Sequence, residues 1–401
     1  MSLPINKILC GDCREVMSEF PSDSINLVVT SPPYWGLRDY GGDSQIWGGD
    51  PNCEHELGDM LPSRREKSGE HGPNSTIGAK EPQNAVSSSD SGNFCIKCGA
   101  WKGQLGLEPH PQMFVDHLVE IFREVKRVLK PSGSFWLNLG DSYYGSRGNN
   151  SDYPQTKNQR ISSGVPRKSL ATGFNSNWLQ PKQKLMIPER TAIALQDDGW
   201  ILRNSVIWYK PNHMPESVGD RLSKSYEFFF FFVKQQKYYF DLDSIRKPYT
   251  ASTIERVNYS RYGENSKGMS GNYATKTTEY GELDTRGGNP GDMWSISTKG
   301  FPGSHFAVFP EKLIEPIIKS SSQRGDVVLD PFCGSGTTLK LSRKLMRSYI
   351  GIDTNPEYVE MSKKSIRGDK YFVLPDNMNN LSNMFSPNET TFTPQNRDDI
   401  K

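Results

Sequence analysis

Two short segments carry residue types whose spacing suits chemistry. Thr30-Ser31-Pro32-Pro33-Tyr34 follows the apolar run Ile25 to Val29, and Asp330-Pro331-Phe332-Cys333-Gly334-Ser335-Gly336-Thr337-Thr338 follows Val327-Val328-Leu329. In the second segment, Gly334 and Gly336 let backbone approach a ligand closely, and Thr337-Thr338 are placed to cap the helix that follows. Asp353 ends the next apolar run, about twenty residues on, the offset at which an acidic residue holds a ribose diol in dinucleotide folds. No Lys follows the glycines, which disfavours a phosphate-cradling loop. In the first segment, two prolines fix a backbone carbonyl beside the hydroxyl of Ser31, and Tyr34 supplies a flat face. That is an acceptor pair for an amine, with a surface for a planar ring to stack on. One strand end for a cofactor and one for a flat polar group imply a group-transfer enzyme.

The elements that position these segments are strands alternating with helices, which argues for an α/β sheet with insertions on its ligand edge. Ile8 to Cys10 reads as a strand, Arg14 to Phe20 as a helix and Ile25 to Val29 as a buried strand. Phe114, Leu118, Ile121, Phe122, Val125, Val128 and Leu129 recur at helical spacing, and Ser134 to Leu139 is the next strand. Pro188 to Leu195 reads as a helix. Trp200 to Tyr209, Tyr226 to Val233 and Lys237 to Asp241 read as strands. Glu311 to Ser320 is a helix, another starts at Thr338, and Ser348 to Ile352 is the last strand.

Hydrophobic content is 34% with formal net charge +2, and mean hydropathy is −0.66. Part of the chain is therefore polar loop, and binding to nucleic acid would need basic residues gathered on one face. No run approaches the roughly 20 apolar residues of a membrane helix. The N-terminus lacks a signal-peptide core, so the plain expectation is a cytoplasmic protein without membrane contact.

Six cysteines in 401 residues do not make a disulfide scaffold. Cys95-Ile96-Lys97-Cys98 and Cys53-Glu54-His55 together offer three sulfur ligands and one nitrogen for a structural zinc, with His71 able to replace His55. A polar insertion without a core gains order from such a metal.

The two motifs, in this order, resemble the amino-methylating DNA methyltransferases in their permuted (beta-type) arrangement, with the catalytic motif ahead of the cofactor loop. Trp35 to Tyr40, Leu137 to Tyr143, Ile207 to Asn212 and Ser225 to Phe228 share the resemblance, which spans most of residues 5 to 365. It implies a Rossmann-like sheet binding S-adenosylmethionine, with direct in-line transfer to a base flipped from duplex DNA. Ser31 is similar to the cytosine-N4 branch, whereas Asp or Asn is usual in the adenine-N6 branch. By the same resemblance Ser31, Pro32, Pro33 and Tyr34 are catalytic. Asp330, Pro331, Phe332, Gly334, Ser335, Gly336 and Thr337 then hold the methionine and sulfonium region, Asp353 the ribose, and Asp12 lies near the adenine. Residues His305 to Ile314 resemble the helix that closes over the cofactor. Carbon-5 methylation needs a thiolate, usually in a Pro-Cys pair, and the chain has no Pro-Cys.

The implied division is residues 1–40 with the catalytic motif, an insertion at 41–104, a continuing methyltransferase part at 105–246 with a polar loop at 142–182, a target-recognition region at 247–295, a cofactor part at 296–370 and a disordered tail at 371–401. Arg38 and Arg221 are candidates for phosphate contacts. The expected partners are double-stranded DNA and, functionally, a cognate restriction endonuclease in a prokaryote or phage, with the chain a monomer or dimer. Adenine N6 is the first alternative acceptor. RNA or protein acceptors, and an inactive zinc-containing nucleic-acid-binding protein, stand behind it.

Overall fold

Runs of Val, Ile and Phe with few polar breaks form strands that are buried on both faces, as parallel sheets flanked by helices require. The structure is a computed structural model, and it describes residues 2–37, 42–58, 93–144, 178–255, 284–298 and 310–368. In chain order the elements begin with β1 (Lys7–Cys10), α1 (Cys13–Ser18), β2 (Ile25–Thr30), β3 (Gln45–Trp47), β4 (Leu57–Gly58), β5 (Phe94–Cys95) and β6 (Trp101–Gly103). They continue with α2 (Pro111–Val128), β7 (Leu129–Leu139), α3 (Ile187–Asp197), β8 (Ile201–Tyr209), β9 (Tyr226–Val233) and β10 (Met293–Ser295). The last are α4 (Glu311–Ser321), β11 (Val327–Asp330), α5 (Thr337–Lys344), β12 (Ser348–Asp353) and α6 (Pro356–Arg367).

Eight strands form one sheet in the order β1-β12-β11-β2-β7-β9-β8-β10. Neighbours pair in parallel except at β9, which runs antiparallel to both β7 and β8. The expected α/β sheet is thus present. From β11 the chain proceeds to β12 on one side, and from β2 it proceeds to β7 on the other. The adjacent strands β11 and β2 (Val328 opposite Leu27, Leu329 opposite Val28) therefore flank a topological switch point, where ligands bind at the carboxyl ends of such sheets.

Alternation within the strands divides the core into two layers. Phe135, Leu137, Phe230 and Phe232 point to the layer containing α1, α2 and α3. Leu27, Val29, Trp136, Phe229 and Phe231 point to the layer containing α4. Trp136 stacks on Phe231 with ring centroids 4.4 Å apart. A register shift between Ile25 and Leu27 turns Ile25 into the first layer although Leu27 faces the second.

Several local expectations are corrected. Lys237 to Asp241 forms no strand, because Tyr239 N–H donates instead to the Ser132 carbonyl at 2.8 Å and Asp241 N–H to that of Ser320 at 2.7 Å. β10 ends the stretch read as a recognition region, yet it pairs with β8 as the sheet's edge. Thr337 and Thr338 do not cap α5. Gly336 holds the N-cap position at φ +79° with no side-chain cap, and Thr338 is buried. α6, N-capped by the Asn355 side chain, was not anticipated. Nor was the four-stranded sheet β3-β6-β5-β4 in the insertion. Residues 59–92 of the insertion, most of the loop at 142–182, residues 256–283 and the tail from 371 lie outside the described residues, as do Arg38, His71 and His305.

Candidate active site

The two motifs occupy the carboxyl ends of adjacent strands. Thr30 Oγ1 donates to Asp330 Oδ1 at 2.6 Å in the buried interior, and Phe332 N–H donates to the same oxygen at 3.1 Å. Burial raises the Asp330 carboxyl to about pH 6, against the pull of these donors. Beyond it the chain turns twice. Gly334 adopts φ +49° with open space where a side chain would stand, so the backbone there is bare toward a ligand. At Gly336 a Cβ would lie 3.1 Å from Ser362 Cα, so this glycine is required by the packing of α6.

Asp353, at the end of β12, accepts from Gly334 N–H through Oδ2 and from Asn355 N–H through Oδ1, both at 2.9 Å. Burial raises its carboxyl above the usual range. Asp12 N-caps α1 by accepting from Arg14 N–H at 2.8 Å, and its other oxygen accepts from the Arg14 guanidinium at 2.7 Å. Its carboxylate is therefore already engaged.

At the β2 end, Ser31 Oγ stands 3.5 Å from Tyr34 Oη. That phenol oxygen is 3.0 Å from both Asn138 Oδ1 and Glu227 Oε2. Having one hydrogen, it donates to one of them at a time. Asn138 Nδ2 in turn donates to the Phe228 carbonyl at 2.9 Å, and Glu227 pairs with Lys210. One side of the Tyr34 ring lies against Gly140, where a Cβ would come within 2.4 Å of Cε2.

A single pocket joins the two ends. It is lined by Ser31, Pro32, Pro33 and Tyr34 together with Asp12, Asp330, Pro331, Phe332, Gly334, Ser335, Thr337 and Asp353. Of the residues assigned to it from sequence only Gly336 is not in the lining. Four carboxylates (Asp12, Asp43, Asp330 and Asp353) and no Lys, Arg or His line it among the described residues. That donor set suits a cationic ligand with hydroxyls and opposes a phosphate. Cys13 and Cys333 also line the pocket, but burial pushes both thiols up, so neither supplies a thiolate at neutral pH.

The chain matches the family model N6_N4_Mtase, described as DNA methylase, over residues 25–364. It belongs to this DNA methylase family. It is 34% identical over 366 residues to the Type II methyltransferase M.Cfr9I of Citrobacter freundii, covering 91% of this chain and 88% of that one. It is 35% identical over 365 residues to M.XycI of Xanthomonas campestris pv. cyanopsidis, with the same shares. Among solved structures, the PvuII DNA methyltransferase (cytosine-N4-specific) superposes with TM-score 0.51 at 18% identity, covering 91% of this chain and 87% of that one. Family membership makes the chain an S-adenosylmethionine-dependent methyltransferase acting on DNA, and the acidic, cation-free pocket fits that cofactor. No helix among the described residues is long and apolar enough to cross a membrane.

The remaining sequence assignments fall elsewhere. The described part of the expected closing helix is residues 310–314: Leu313 and Ile314 of α4 are buried in the second core layer, Glu311 pairs with Lys340 and Lys344, and none of the five lines the pocket. Arg221 pairs with Glu216 and lies 4.0 Å over the Tyr143 ring. Cys53, His55, Cys95 and Cys98 come together, all ligand atoms lying within 4.8 Å of one another. Sequence reasoning assigned no role to Asn138, Glu227 and Lys210, nor to the pocket residues Trp47, Thr354, Asn355 and Tyr358. A lone Asn between Leu137 and Leu139, and a lone acid in the aromatic strand β9, were the available signals.

Proposed function

We propose that this methylase transfers the methyl group to the exocyclic N4 of cytosine in duplex DNA, as the modification half of a restriction-modification pair. The observation that carries the reading is Ser31, a neutral hydroxyl at the β2 end of the pocket, tied to Tyr34 and through it to Asn138 and Glu227. The Type II designation of the two relatives supports the restriction-modification setting.

The amine of cytosine is a poor nucleophile because its lone pair delocalises into the ring. Ser31 Oγ and a backbone carbonyl held by Pro32 and Pro33 accept the two amine hydrogens. This draws the nitrogen toward tetrahedral geometry and aims its lone pair along the line of transfer. Tyr34 offers the ring face opposite Gly140 to the extruded base. The Asn138–Glu227 pair holds the phenol so that this face keeps its angle. S-adenosylmethionine, when bound, supplies an electrophilic methyl on a sulfonium. Asp330 and Asp353 provide the negative surroundings such a cation prefers, and Gly334 leaves the backbone open to it. DNA contact is proposed for the polar loop at 142–182 and the region at 247–295.

The proposal is tested by expressing the chain in a host whose DNA lacks N4-methylcytosine and analysing that DNA as nucleosides. Appearance of N4-methylcytosine supports it, and N6-methyladenine in its place reassigns the acceptor to adenine.

A further inference from the structure

The sheet β3-β6-β5-β4 has strands of only two or three residues, too short to hold together through backbone pairing alone. The four sulfur and nitrogen ligands sit on it. Cys95 belongs to β5, and a tight turn with Gly99 at φ +75° returns Gly99 N–H to the Cys95 carbonyl at 2.9 Å. This places Cys98 beside Cys95. The segment carrying Cys53 and His55 is fastened opposite by Ile96 N–H donating to the Glu56 carbonyl at 2.9 Å.

Cys53 Sγ and Cys95 Sγ are 3.8 Å apart, and Cys98 Sγ is 3.4 Å from His55 Nδ1. A tetrahedral zinc at ordinary bond lengths requires about 3.8 Å between sulfurs and about 3.6 Å from sulfur to nitrogen. All six cysteines are free thiols. Four ligands fill a tetrahedron, so the site is closed and structural.

The same small sheet forms a wall of the pocket. Gln45 and Trp47 on β3, and Gln104 and Leu105 just after β6, line it. The Trp47 ring lies between the Arg14 guanidinium, 3.7 Å away, and the His117 ring, 4.5 Å away. Its Nε1 donates to the Gly103 carbonyl at 2.9 Å. At the turn after β3, a Cβ on Gly49 would stand 2.8 Å from Cys98 Sγ, so the backbone two residues beyond the pocket residue Trp47 packs closely against a metal ligand.

We propose that Cys53, His55, Cys95 and Cys98 bind one zinc ion whose function is to hold this wall against the cofactor, so that zinc occupancy and S-adenosylmethionine affinity are coupled. The coupling rests on the pocket being the cofactor site. Being an equilibrium linkage it is reciprocal: the cofactor raises the affinity for zinc by the same factor as zinc raises that for the cofactor.

The test uses the full chain. Its zinc content is measured by elemental mass spectrometry, and S-adenosylmethionine binding is measured by calorimetry before chelation, after it, and after zinc chloride is restored. Near-stoichiometric zinc is expected, with cofactor affinity falling about tenfold or more on chelation and recovering with zinc. Hydrogen exchange checks that β7 stays protected in the chelated chain while residues 42–58 and 93–105 lose protection. Cys98→Ala should lose both zinc and affinity, and Cys98→His should retain both. A chain that takes up no zinc overturns the metal site. Unchanged cofactor affinity after zinc removal overturns the coupling. A zinc-loaded chain that binds no cofactor overturns the pocket reading beneath it.

Discussion

Thr30 and Asp330 lie 300 positions apart in the chain and share a hydrogen bond of 2.6 Å between neighbouring strands. This bond joins the end of the strand bearing Ser31 to the end of the strand bearing the glycine loop. It fixes the two ends of the pocket, the proposed acceptor side and the proposed cofactor side, relative to one another. In-line transfer depends on that alignment, since a displacement of about 1 Å can cost on the order of a hundredfold in rate.

The buried Asp330 predicts a pH dependence. Its carboxyl keeps its proton up to about pH 6, against an ordinary value of 3.8. The folded chain therefore holds more protons than the unfolded one in that window, and stability falls as pH rises through it, by about 3 kcal/mol from this group. Asp330→Asn should remove that part of the slope in denaturant titrations between pH 4 and 7. Wild-type affinity for S-adenosylmethionine should weaken as pH falls below about 6, when the carboxylate facing the cation is lost. In Asp330→Asn it should be weaker throughout and flat in this range.

Ser31→Ala removes one of the two proposed amine acceptors and leaves the residues proposed for the cofactor untouched. Single-turnover methylation should drop by about a hundredfold, with cofactor affinity within about twofold of wild type by calorimetry. An equal loss of affinity and rate would place Ser31 on the cofactor instead.

Tyr34→Phe keeps the ring and cuts its ties to Asn138 and Glu227. Turnover should fall by about tenfold, and Glu227→Gln should add little on that background, because both variants break one network. Additive losses would show that Glu227 acts independently of Tyr34.

Gly140→Ala drives a methyl against the Tyr34 ring, where 2.4 Å is available. The ring must move, which predicts a loss of about 1–3 kcal/mol in stability and a larger loss in methylation than in cofactor binding. Unaltered turnover in this variant would show that the ring position is not critical.

Much of this plan was legible in the sequence where the signal is local. Val327 to Leu329, and Ile25 to Val29 with Asn26 as its one polar residue, are apolar runs ending in Gly- or Pro-bearing turns, and both became central strands whose ends meet. The capping role read for Thr337 and Thr338 failed because Gly336, in a left-handed conformation, holds that position against Ser362. β10 and the strands β3 to β6 are two or three residues long within polar sequence, so no periodicity marks them; tertiary pairing makes them strands. The contacts of Glu227 and Asn138 with Tyr34 join residues about one hundred to two hundred positions apart, and only the sheet order brings them together.

The acceptor atom is tested most directly with purified protein, mixed-sequence duplex DNA and S-adenosylmethionine carrying a deuterated methyl group, followed by digestion to nucleosides and mass spectrometry. The account predicts deuterated methyl on N4-methylcytosine with the wild-type chain and a strongly reduced signal with Ser31→Ala. Label on N6-methyladenine, or on no nucleoside while the cofactor demonstrably binds, would contradict it.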